Sequence, residues 1–185
     1  LKQSTQYKLY LGSLYAERGR LDEAEDLLSV VVKDNDVEGK DKSLALEQLI
    51  QIKIKKNDIP AAKNLVEEFE AVAPGPALTL YQRAMIAYAE DDQEKCKQYL
   101  IKAQQSLRDD DESITKVQLA NTLFRHGLYE EAMYVFESFV DTDYYDQNLE
   151  KLLDTYSKLN QASKLIRLCE EIRSKHGIKR FPSDL

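Results

Sequence analysis

Apolar positions along this chain recur with a helical step, and the pattern repeats. The segment Gly19-Arg20-Leu21-Asp22-Glu23-Ala24 returns loosely as Asn57-Asp58-Ile59-Pro60-Ala61-Ala62 and as Gly127-Leu128-Tyr129-Glu130-Glu131-Ala132, with fainter copies ending at Cys96 and Leu165. The residues that close the copies, Ala24, Ala62, Cys96, Ala132 and Leu165, are separated by 38, 34, 36 and 33 positions. Four beyond each anchor stand Leu28, Val66, Leu100, Phe136 and Cys169, and seven beyond stand Val31, Phe69, Ala103, Phe139 and Ile172. Steps of four and seven place anchor and followers on one face of a helix.

Five positions before each anchor the chain carries Gly19, Asn57, Asp91, Gly127 and Asn160. All are types that tolerate a left-handed backbone, where an ordinary β-carbon costs roughly 1 kcal/mol or more. Each repeat is therefore expected to hold a tight helix-to-helix turn. Ahead of the turns Leu11, Leu49, Leu119 and Leu152 share one register, with Arg83 as the exception in the third repeat. The pattern predicts ten helices, over 4–18, 21–33, 41–56, 59–72, 76–90, 93–107, 112–126, 129–141, 145–159 and 161–176, and no strand. Pro60 suits a first helical turn, and Pro74-Gly75-Pro76 separates the second repeat from the third. Asp34 to Asp41, Asp109 to Glu112 and Asp141 to Asp146 read as polar connections, none long enough to be a domain linker. The units run approximately over 5–38, 43–76, 77–110, 113–146 and 146–177, forming one repeat domain over 1–177, with 178–185 as a C-terminal tail.

Composition agrees with many solvated helices. The 185 residues are 43% hydrophobic and 32% charged with only six Gly and four Pro, which excludes a disordered or collagen-like chain. A net charge of -7 repels nucleic acid and anionic lipid. No run of about 18 apolar residues occurs, so no membrane insertion is expected. The chain begins at Leu1 without a charged-then-apolar leader, and is read as part of something longer.

These residues resemble a tetratricopeptide repeat array, whose unit is a helix–turn–helix of about 34 residues. The first repeat carries Leu11-Gly12, Tyr15, Gly19, Ala24, Leu28 and Val31, and the fourth keeps Leu119-Ala120, Leu123, Gly127, Tyr129, Ala132, Phe136 and Phe139. The second contributes Leu49, Ala62, Phe69 and Pro74 at the closing position. Departures concentrate in the third repeat, at Arg83 and Cys96, and in the fifth, where Leu165 is large at a small site. The resemblance implies an all-α, right-handed superhelix whose concave groove, lined by the first helix of each unit, holds a peptide or a partner helix. Each two-helix unit has an apolar face that it cannot hide alone, so neighbouring units must stack.

On that basis the expected partner-binding groove comprises Gln48, Gln51, Tyr81, Gln82, Met85, Tyr88, Val117, Gln118, Asn121 and Phe124. Its middle is neutral amide, able to pair with an extended backbone whatever its sequence, and Leu78 and Ile114 add to the apolar flanks. The competing reading of each residue is plain: Gln and Asn are often only solvated, and Tyr81, Tyr88 and Phe124 pack between units. Arrays that clamp the acidic terminus of heat-shock chaperones use Lys, Asn, Asn, Lys and Arg. Here the corresponding windows, Leu9, Ser13, Gln48, Leu78 and Gln82 among them, lack the cations, so that use is rejected. Repeat proteins that read RNA are basic in their grooves, whereas this groove is neutral.

Catalytic chemistry is not indicated. Cys96 and Cys169 occupy core registers and are read as buried thiols, which fit a reducing compartment such as the cytoplasm more easily. His126 and His176 each precede a glycine, where an imidazolium meets a helix C-terminus. No metal cluster, phosphate loop or nucleophile elbow is apparent, no calcium loop lies in the acidic connections, and no cofactor is expected. Lys175, Lys179 and Arg180 make a basic tail too short for nucleic acid. The last helix, with Leu165, Ile166, Leu168, Cys169 and Ile172, is more apolar than one stripe needs, so Ile178 and Phe181, another domain or a second copy is expected to cover it. The expectation is a non-enzymatic module that binds a protein or peptide. The alternative is a spacer, or a homodimer built through terminal helices, with an empty groove.

Overall fold

The computed structural model describes residues 2–73, 75–109, 111, 113–139, 142 and 144–176. Among the described residues ten helices follow one another: α1 (Lys2–Glu17), α2 (Leu21–Lys33), α3 (Gly39–Lys55), α4 (Ile59–Glu70), α5 (Pro76–Ala89), α6 (Gln93–Gln105), α7 (Ser113–Arg125), α8 (Tyr129–Glu137), α9 (Tyr145–Lys158) and α10 (Ala162–His176). No strand occurs among the described residues. All ten starts lie within two residues of the predicted positions, and the largest differences are at α1 and α3, each two residues early. Gly39 has a φ of 61°, a left-handed entry into α3 that the repeat pattern does not foreshadow.

The five turns have one geometry. Gly19, Asn57, Asp91, Gly127 and Asn160 all adopt positive φ, between 54° and 76°. The residue after each donates back five positions, as Arg20 N does to Tyr15 O at 2.9 Å and Asp58 N to Lys53 O at 2.8 Å. These bonds satisfy carbonyls that the helix end would otherwise leave open, and the left-handed residue reverses the chain. Two of the following helices are capped by side chains. Asp58 accepts from Ala61 N at 3.3 Å, and Asp92 from Lys95 N at 3.0 Å. Pro60 and Pro76 lie in the first turns of α4 and α5, where no N–H is missed.

The chain divides into two compact units, 1–111 and 112–185. In the first, α1 to α6 make three hairpins; α2 packs on α3, α4 packs on α5, and the first helices α1, α3 and α5 also touch in turn. Its core is a series of local clusters. One joins Leu28 and Val31 of α2 to Leu49 and Ile52 of α3, and the next joins Val66 and Phe69 of α4 to Leu78 and Ile86 of α5. Gly12 permits the first hairpin to close, since a β-carbon there would lie 2.9 Å from Leu28 Cγ.

In the second unit α7 and α8, then α9 and α10, form hairpins, with α8 on α9. The anchor stripe is buried in the first four repeats, from Ala24, Leu28 and Val31 to Ala132, Phe136 and Phe139. It opens in the fifth. Leu165 and Cys169 are half-buried and Ile166 is exposed, because α10 packs on α9 and its outer face carries less cover. Cys96 is fully buried, which pushes its thiol up, whereas Cys169 is not enclosed as its register suggested. Ile178, Phe181, Lys179, Arg180 and the side chain of Lys175 lie outside the described residues.

Candidate partner-binding face

The ten expected groove residues divide between the units, Gln48, Gln51, Tyr81, Gln82, Met85 and Tyr88 in the first and Val117, Gln118, Asn121 and Phe124 in the second. The amides do not stand open as a row. Gln82 is fully buried at 0% exposure, accepting from Gln51 Nε2 at 2.7 Å and donating to Glu47 Oε1 at 3.3 Å. Gln48 Nε2 donates to Ser13 Oγ at 2.7 Å. In the second unit Asn121 Nδ2 donates to Val117 O at 2.9 Å, and its Oδ1 accepts from Lys151.

One rule covers these bonds. Ser13, Gln51 and Asn121 all stand eleven before their anchors, while Gln48, Gln82 and Lys151 stand fourteen before the anchors of the next repeats. Each pair links the first helix of one repeat to the first helix of its successor. A buried amide must find a partner, and here the neighbouring repeat supplies it. The column therefore stitches repeats together. Gln118, by contrast, is exposed, and Val117 is half-buried.

Several large apolar and aromatic side chains remain open on the first helices of unit one. Tyr7, Tyr10 and Leu44 are exposed, Tyr10 at 71%, and Tyr88 is exposed at the far end of α5. Tyr81 packs partly into the second core cluster and Met85 is half-buried. In unit two Phe124 is half-buried, its ring edge-on to Tyr129 with centroids 5.3 Å apart. Tyr7 and Leu44 were not among the expected groove residues. The signal that could have revealed them is their place three to four positions before the bonded register, on the same helical face. The side chain of Ile114 lies outside the described residues.

Among the described residues no three His, Cys, Asp or Glu side chains are grouped to hold a metal ion, and no helix is long and apolar enough to cross a membrane. His126 is half-buried at the end of α7, directly before the left-handed Gly127.

Solved structures share this arrangement of hairpins. A putative kinesin light chain with nearly identical TPR-like repeats from Podosopora anserina matches with a TM-score of 0.56 at 16% identity, over 94% of this chain and 96% of that one. The fold is that of tetratricopeptide-like repeat proteins. The MamA protein matches with a TM-score of 0.50 at 13% identity, over 98% of this chain and 100% of that one. No protein-family model and no curated protein matches the chain, so the likeness to tetratricopeptide-like repeats rests on backbone geometry together with the repeated turn and core residues.

Proposed function

We propose that the chain is a non-catalytic interaction module that holds an extended or helical segment of a protein partner on its first-helix side. The observation that carries this is the exposure of Tyr7, Tyr10 and Leu44 above a layer of amides that are already paired. Large apolar side chains held on a scaffold stiffened from below lose little entropy on binding, which is where contact energy concentrates. Gln48, Gln51, Gln82 and Asn121 then act mainly as supports, while Tyr10, Leu44, Tyr81, Met85 and Tyr88 supply the contacts, with Val117, Gln118 and Phe124 serving the second unit. A partner with apolar anchors fits better than one that presents a terminal carboxylate.

The test is selection from a library of displayed short peptides. Enriched peptides should carry aromatic or aliphatic anchors, and Tyr10→Ala with Leu44→Ala should abolish their binding while leaving the helical circular dichroism intact. Enrichment that survives both substitutions would sink this reading. A second reading, a self-associating scaffold, is favoured by one feature: Ile166 is 59% exposed on α10, beside the half-buried Leu165 and Cys169. Light scattering that shows a concentration-dependent dimer lost in Ile166→Lys would support it.

A further inference from the structure

Between α4, α5 and α6, in the first unit, lies a cavity of about 200 Å³ that the proposed binding face does not use. Its floor is Val66, Ile86 and Ala87, all buried, and Tyr99 forms one side. Around the mouth stand Lys63, Arg83 and Lys95 with Glu67 and Glu90. A mixed rim over an apolar floor is the usual constitution of a small-ligand site.

The cavity traces to the one break in the leucine register. Leu49, Leu119 and Leu152 occupy that position in the second, fourth and fifth repeats and are buried, at 3%, 1% and 2% exposure. In the third repeat the position is Arg83. A guanidinium cannot be left unpaired against Val66 and Ile86. It turns outward instead, and Nη2 meets Glu70 Oε2 of α4 at 2.8 Å with 38% of the side chain exposed. The space that leucine fills in the other repeats stays open beneath it.

The rim favours an anion. Its lining has three cations against two carboxylates, and Glu70, which pairs with Arg83, lies outside that lining in an exposed contact. Glu90 is already engaged by Lys63 at 2.6 Å, and Arg83 is held only by an exposed pair. Lys95 and Glu67 belong to neither of these two pairs. We propose that the cavity binds a small organic acid, an aryl or branched alkyl group ending in a carboxylate. The apolar body would lie on Val66, Ile86 and Ala87, and the carboxylate would meet Lys95 and Arg83. The site is independent of the peptide-binding reading, since its α5 residues, Arg83, Ile86 and Ala87, are not those that the proposed binding face uses.

The experiment is a titration of the whole chain with 3-phenylpropionate, followed through the methyl resonances of Val66, Ile86 and Ala87. Saturable shifts are expected, with affinity about tenfold weaker in Lys95→Ala, the loss of one charge-assisted contact. Arg83→Leu should restore the leucine register, fill the space and abolish the shifts. Lys95→Ala lies on the exposed surface of α6 and keeps the test valid if the Arg83 variant folds poorly. Two matched probes decide the charge. If 3-phenylpropanol binds as tightly, or 3-phenylpropylamine binds more tightly through Glu67, the assignment of an acid is overturned. The same holds if no saturable shift appears at millimolar probe, or if Lys95→Ala binds unchanged.

Discussion

Two junctions within the first unit, repeat one on repeat two and repeat two on repeat three, share a backbone plan and differ in how they are filled. At the first, Leu49 enters a cluster with Leu28, Val31 and Ile52, and the amide stitch is the small pair Ser13 and Gln48. At the second, Arg83 leaves the core for Glu70, a cavity opens, and the stitch is a buried relay of Gln51, Gln82 and Glu47. Their ion pairs are reversed in sign. Glu25 and Lys63 hold the same register, one past the anchor, and meet Lys56 and Glu90, which also share a register. A repeat fold thus conserves positions while the chemistry at each junction varies, and the less apolar junction carries the more buried polar bond.

The strongest way to break this contrast is to give the first junction the residue of the second. Leu49 is 3% exposed, and Leu49→Arg would remove its packing and force a charge into an apolar cluster. The cost should be 3 kcal/mol or more, about that of a severe core substitution. Chemical denaturation at neutral pH measures it. A loss below ~1 kcal/mol would mean that this junction, too, can turn an arginine outward.

Next in size is the buried relay. Gln82→Ala would leave a void and strand Gln51 Nε2, for about 2 kcal/mol. Gln118→Ala, at the same register in the fourth repeat but exposed, should change stability by less than ~0.5 kcal/mol. Equal effects for the two amides would show that the Gln82 bonds contribute little.

The sequence was most legible where one residue decides the local geometry. Gly19, Asn57, Asp91, Gly127 and Asn160 could be read as left-handed because few other residue types tolerate that conformation, and all five adopt it. The core stripe was legible for the same local reason, a helical period of apolar residues, and it weakens only at Leu165 and Cys169, where burial depends on a neighbour that the period does not describe. The candidate face was legible in part. Gln48, Gln51, Gln82 and Asn121 could be assigned to one side of the first helices, but their mutual pairing depends on an offset of three positions between successive helices, which is a tertiary quantity. Arg83 stood out as an exception, yet whether it would fill or vacate its place depended on Glu70, a residue from the preceding helix.

Arg83→Leu sharpens the contrast from the other side. Making the second junction resemble the first should add about 1 kcal/mol of stability, the burial of an aliphatic side chain less the surface pair with Glu70. The gain should appear as a higher denaturation midpoint with an unchanged slope. A loss instead would show that the space is too irregular for leucine and that α4 and α5 are held apart by more than the absence of a side chain.

The smallest effect concerns the reversed ion pairs. Glu25 lies between Lys53 at 2.7 Å and Lys56 at 2.8 Å, and the first ammonium, then the second, holds its carboxyl below the ordinary 4.5. A carboxylate whose folded value is lowered adds stability that is fully present above its unfolded value and is lost as pH falls through the folded one. Glu25→Gln should therefore cost about 0.5 kcal/mol at neutral pH, a figure already reduced for solvent screening. That cost should shrink as the pH drops below about 4 and vanish once the carboxyl is protonated in both states. Denaturation midpoints of the two proteins measured from pH 7 to pH 3 should converge. A constant gap would place the role of Glu25 in packing along α2, and would remove charge from the account of how the first junction differs from the second.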